Sequence, residues 1–72
     1  MGKIELERKY LNTVNDKKTA AEIREELQKE AVLNGWFSDS LPGEIRSTLV
    51  RLFDRGILGI SNDYVIYKKE QK

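Results

Sequence analysis

The chain contains neither cysteine nor histidine, so no disulfide staples it and the two commonest kinds of zinc ligand are missing. The same absences remove the side chains that most often act as nucleophile or general acid–base at neutral pH. No enzymatic activity, metal or other cofactor is therefore expected. No apolar run approaches the roughly 18 residues of a membrane span, and no secretory-signal pattern opens the sequence. No membrane association is expected, and a cysteine-free chain suits the cytoplasm. A dominant charge is also lacking, since 13 Lys and Arg against 12 Asp and Glu leave a net +1. A grip on a polyanion by bulk electrostatics is thereby excluded, and any such contact has to come from local clustering. Length bounds the rest. Seventy-two residues make one domain, 1–72, and a chain of this size buries only about 60% of its extended surface.

Four segments follow one another without repeats or a low-complexity linker. IELERKYLNTV places Leu6, Tyr10, Leu11 and Val14 near one helical stripe and predicts a helix over about 4–14. NDKK, 15–18, is a polar break. TAAEIREELQKEAVL, about 19–33, opens with Thr19 and, three residues later, Glu22. In that capping box each side chain satisfies the other's exposed backbone donor. Ala20, Ile23, Leu27 and Ala31 then share a face, with Arg24, Glu25, Gln28 and Lys29 elsewhere. Asn34-Gly35 has two readings: a helix end, because both residues tolerate a left-handed backbone, or a tight hairpin turn. Under the first reading, Trp36 and Phe37 fold back onto the core beside Val32 and Leu33.

The third segment predicts a helix over about 42–55, with Ser40 as its cap and Pro42 in its first turn. Ile45, Leu49, Leu52 and Phe53 form the apolar stripe, Arg55 complements the C-terminal dipole, and Gly56 stops the helix. The periodicity then changes. ILGIS (57–61) and YVIYK (64–68) are β-prone runs around Asn62-Asp63, which predicts a hairpin over about 57–68. At least one of Tyr64 and Tyr67 has to be exposed, because alternate residues of a strand face opposite sides. The terminal EQK is expected to fray. The expected fold is α+β, three helices followed by a two-stranded hairpin.

TAAEIREEL, PGEIRSTLVRLFDRGIL and LGISNDYVIYK, in that order, resemble the winged helix-turn-helix family. In that family a T-x-x-E-I/L helix precedes the recognition helix, which ends in a charged-charged-Gly-hydrophobic-hydrophobic stop before the wing, here DRGIL. With the first helix included, the resemblance covers most of the chain. It implies a small winged helix that binds double-stranded DNA as a transcriptional or replication regulator. The second helix would brace the third, whose N-terminal half would enter the major groove. Arg46 would pair with guanine, and Ser47, Thr48 and Arg51 would add base or phosphate contacts. Lys17, Lys18, Lys68 and Lys69 would touch the backbone, fixing register without reading sequence. A monomer this small spans about one half-site, which favours a homodimer.

Other residues support a second reading, a protein-interaction winged helix. With the stripe of the third helix inward, Glu44, Ser47, Val50, Arg51 and Asp54 point outward, a mixture of acidic, apolar and basic groups. The turn Ser61-Asn62-Asp63 has no cation at its tip, and the connection between the second and third helices is long. In this reading Trp36, Val50, Tyr64 and Tyr67 would meet a partner protein or a second copy. Trp36 and Phe37 are also candidate stacking platforms for nucleobases, although a small core needs their area more.

Overall fold

The computed structural model describes residues 2–69, so the expectation for EQK lies outside the described residues. The expected α+β order holds: α1 Lys3–Thr13, α2 Ala20–Asn34, α3 Leu41–Asp54, then β1 Leu58–Ile60 and β2 Ile66–Lys68. Every element contributes to one core, in which Tyr10, Ile23, Leu27, Leu41, Ile45, Leu52, Leu58 and Ile66 are almost fully buried.

Local chemistry sets the helix boundaries. At α2 the capping box forms in both directions: the Glu22 amide donates to Thr19 Oγ1 at 3.3 Å, and the Thr19 amide donates to Glu22 Oε1 at 3.0 Å. Gly35 adopts a left-handed φ of 77°, and the Trp36 amide closes back on the Ala31 carbonyl at 3.0 Å. Asn34-Gly35 is therefore a helix end, not a hairpin turn. At the end of α3, Gly56 has φ 75° and donates to the Phe53 carbonyl, while Ile57 donates to that of Leu52, both at 3.0 Å. That pair of bonds is a Schellman motif, which a glycine permits and which turns Ile57 back onto the core.

Two details of α3 differ from expectation. Ser40 occupies the cap position, but its backbone is already helical and its hydroxyl makes no capping bond. Leu41, the first helical residue, is buried instead and anchors that end. Phe53, assigned above to the inward stripe, is 43% exposed, and the short Thr48 takes the buried position. Thr48 fits because its hydroxyl donates to the Glu44 carbonyl at 2.8 Å, which hides its polarity within the helix.

β1 and β2 pair antiparallel, with Leu58 opposite Lys68, Gly59 opposite Tyr67 and Ile60 opposite Ile66. The strands are shorter than the β-prone runs suggest, because the turn takes more residues. The Tyr64 amide donates to the Ser61 carbonyl at 3.0 Å, and Ser61 Oγ accepts from the amides of Asp63 and Val65. Tyr64 ends the turn with φ 64°, a conformation that suits Gly or Asn better. The polar break after α1 joins the sheet edge. Ile66 donates to the Lys18 carbonyl at 2.9 Å, Thr19 bridges Val65, and Asp16 Oδ1 accepts from the Lys68 amide at 3.2 Å. Among the described residues, no helix is long and apolar enough to cross a membrane.

Candidate nucleic-acid interface

The α3 face away from the core carries the side chains that the resemblance singles out. Arg46 and Ser47 are exposed there, with Glu44, Val50 and Asp54. Thr48 is not among them. It is fully buried, and besides donating to Glu44 it accepts a bond from Arg51 Nη2 at 3.0 Å. Its expected contact with DNA is overturned by that burial.

Arg51 is also turned away from the outer face. Its Nε meets Glu7 Oε2 on α1 at 3.3 Å, and Arg55 Nη1 meets the other oxygen, Oε1, at 3.0 Å. Glu7 is 17% exposed, and partial desolvation would raise its carboxyl pKa. Hydrogen bonds and charge from Arg55 and Arg51 outweigh that effect and hold it below its ordinary value. A carboxylate shared by two guanidiniums clamps α1 to α3, so these arginines serve the fold first.

The lysines divide similarly. Lys18 is half-buried, with its ammonium on Glu26 and its carbonyl in the sheet edge. Lys69 lies over the Phe53 ring, 5.8 Å from the centroid. Lys17 and Lys68 are exposed, and the Asp16–Lys68 contact brings their backbones into neighbouring positions.

The basic feature the sequence reading missed lies between α2 and α3. Ala20 and Ala21, the first two residues of α2, face Ile45, Arg46 and Leu49 across a groove of about 230 Å³, with Arg24 at its side. Arg24 and Arg46 are exposed, and neither makes an ion pair among the described residues. The start of α2 adds the partial positive charge of its dipole, although the Glu22 carboxylate already caps part of it. The sequence places Arg24 only off the inward face of α2, because spacing along one helix says nothing about its neighbour on another. The small Ala20-Ala21 pair, which leaves room beside the helix start, was the available signal. Tyr10 closes the groove from the core side. It is 1% exposed, its hydroxyl has no hydrogen-bond partner among the described residues, and burial pushes its pKa up to about 12.

The candidate partner-contact residues are spread over separate elements. Trp36 packs half-buried against the core, with the Lys9 ammonium 5.2 Å from its ring centroid. Val50 is 48% exposed on α3, Tyr64 projects from the turn, and the Tyr67 ring covers Gly59. Phe37, expected to fold inward, turns outward beside Val32 and Leu33. Its position places an apolar cluster at the C-terminal end of α2. Among the described residues, no group of three or more Asp or Glu is placed to hold a metal ion. Comparison with models of known protein families, with curated proteins and with solved structures returned no match.

Proposed function

We propose that this chain is a winged-helix domain that binds double-stranded DNA and acts in the cytoplasm as a small transcriptional or replication regulator. One observation carries the reading: Arg24 and Arg46 flank the same groove beside the start of α2, and neither is paired with a carboxylate among the described residues. A phosphodiester in that groove meets two guanidiniums and a helix N-terminus, which together favour an anion. Ser47, next to Arg46 on α3, would add a contact at base edges, and the exposed Lys17 and Lys68 would add backbone contacts. Arg51 acts within the protein, holding α3 against α1 through Glu7, and Thr48 is buried with its hydroxyl bonded within α3.

A titration of a fluorescein-labelled mixed-sequence duplex, followed by anisotropy at low and moderate salt, tests this reading. Binding weakens with salt, and Arg24→Ala/Arg46→Ala weakens it further while flattening the log–log salt slope by about one unit per arginine. Equal affinity for wild type and the double variant would remove the groove from the account. The protein-interaction reading rests on Val50, 48% exposed on the outer face of α3 one turn before Asp54. Under that reading Val50→Asp abolishes capture of a partner while duplex binding is absent from the start.

A further inference from the structure

Tyr10 belongs to α1, yet it borders the groove between α2 and α3. The other residues around that groove, Ala20, Ala21, Arg24, Ile45, Arg46 and Leu49, all belong to α2 and α3. The far end of the Tyr10 side chain is therefore what reaches it. That end carries a hydroxyl with no hydrogen-bond partner among the described residues. Thr48 is equally buried, but its hydroxyl is satisfied within its own helix. Folds seldom leave a buried donor unpaired, and one held at the base of a groove between two guanidiniums points to a ligand.

We infer that the Tyr10 hydroxyl is the floor donor of an oxyanion site, hydrogen-bonding a phosphate oxygen that Arg24 and Arg46 hold from the sides of the groove. At about 230 Å³ the groove falls below the roughly 300–1,000 Å³ of pockets that enclose a drug-sized molecule, so it suits one small group. The arginines supply charge and forked donors, and the start of α2 adds its partial positive charge. Burial pushes the phenol pKa up to about 12, so at neutral pH the hydroxyl keeps the proton it donates. Ile45 and Leu49 wall the groove with apolar surface, where a bond to a charged oxygen is stronger than in water. The hydroxyl is shielded from solvent in the free chain. Seating the oxygen takes a small adjustment of the lining, where Ala20 and Ala21 present only methyl groups. The free fold carries the cost of desolvating the hydroxyl, and the bound state recovers it.

The inference rests on the DNA reading for the source of the phosphate, a backbone phosphodiester, but not for the site itself. Inorganic phosphate presents the same oxyanion and separates the two.

The full chain, isotope-labelled at tyrosine Cζ, contains three tyrosines, and Tyr10→Phe identifies the signal of the buried one. That variant loses only an unpaired oxygen and stays folded. Inorganic phosphate at millimolar concentration is expected to move the Tyr10 signal and leave those of Tyr64 and Tyr67 in place, whereas chloride at matched ionic strength moves none. The mixed-sequence duplex moves the Tyr10 signal too. Tyr10→Phe weakens duplex binding about tenfold at fixed salt, the scale of a hydrogen bond to a charged group. Its log–log salt slope is unchanged, because a neutral donor releases no counterion. Arg24→Ala/Arg46→Ala flattens that slope and abolishes the phosphate-induced shift at Tyr10. A Tyr10→Phe variant that binds duplex as tightly as wild type overturns the inference and leaves the DNA reading intact. A chain that ignores duplex, but whose Tyr10 signal moves with phosphate, removes the DNA reading and keeps the oxyanion site, with a free phosphate compound as its occupant. A Tyr10 signal that moves with neither, or equally with chloride, overturns the inference.

Discussion

Removing a single oxygen from the core is expected to make this protein more stable. Tyr10 is 1% exposed and its hydroxyl finds no partner among the described residues, so the fold carries the desolvation cost of a hydroxyl without the return of a hydrogen bond. Such a group costs about 1–3 kcal/mol. Tyr10→Phe keeps the ring and its contacts but leaves a void the size of one oxygen, which offsets part of the gain. A net stabilisation of about 1 kcal/mol is expected, equivalent to about 4–8 °C in Tm for a domain of this size. Urea denaturation at neutral pH, with an unchanged m-value, reads this directly.

The alkaline limb supplies a second reading of the same group. Burial raises the Tyr10 pKa from 10.0 to about 12, so above pH 10 the unfolded phenol ionises while the folded one holds its proton. Its contribution is complete below pH 10 and is lost as pH rises toward 12. Tyr10→Phe flattens that part of the profile. A variant less stable than wild type by 1 kcal/mol or more, with a parallel alkaline profile, would show the hydroxyl to be satisfied and refute the reasoning.

Four further perturbations separate scaffold from interface. Thr19→Ala removes the capping box and costs about 1 kcal/mol by urea denaturation; no change would mean that α2 starts without it. Glu7→Gln frees Arg51 and Arg55 and lowers Tm. In wild type the Glu7 contribution is complete above its ordinary pKa of 4.5 and is lost as pH falls toward the depressed folded value, so the variant's acid limb is flatter. Tyr64→Asn relieves the left-handed backbone at a side chain that is 76% exposed and raises stability by about 0.5 kcal/mol; a fall in Tm would show that the ring packs. Thr48→Ala costs about 1–2 kcal/mol from the lost buried bonds, and leaves duplex affinity per folded molecule unchanged, which a base-contacting threonine would not.

Features decided by neighbours in sequence were legible from the residues. Thr19 and Glu22 sit three apart and satisfy each other within one turn, and Gly56 supplies left-handed backbone where α3 ends; Asn34-Gly35 read as either a helix end or a hairpin turn until the φ of Gly35 and the Trp36–Ala31 bond decided for the helix end. The features decided by neighbours in space were not. Glu7 lies 44 and 48 residues from the two arginines it holds, so Arg51 read as an outward, DNA-facing residue until α1 was laid beside α3. Thr48 read as polar and exposed because its letter does not reveal a hydroxyl folded back onto the Glu44 carbonyl. Phe53 and Thr48 then exchange places: the stripe has room for a small side chain where the helices approach, and the larger ring is left toward solvent under Lys69. Arg24 was hidden for the complementary reason, since the groove that gives it significance belongs half to α2 and half to α3.

The central claim, that the α2–α3 groove is where DNA binds, is tested most directly by backbone amide shifts on titrating a mixed-sequence duplex into the labelled chain at low salt. The account predicts shifts concentrated at Ala20, Ala21, Arg24, Arg46 and Ser47, fading as salt rises. Shifts that spare those residues, or a spectrum that does not change at low salt, would contradict it.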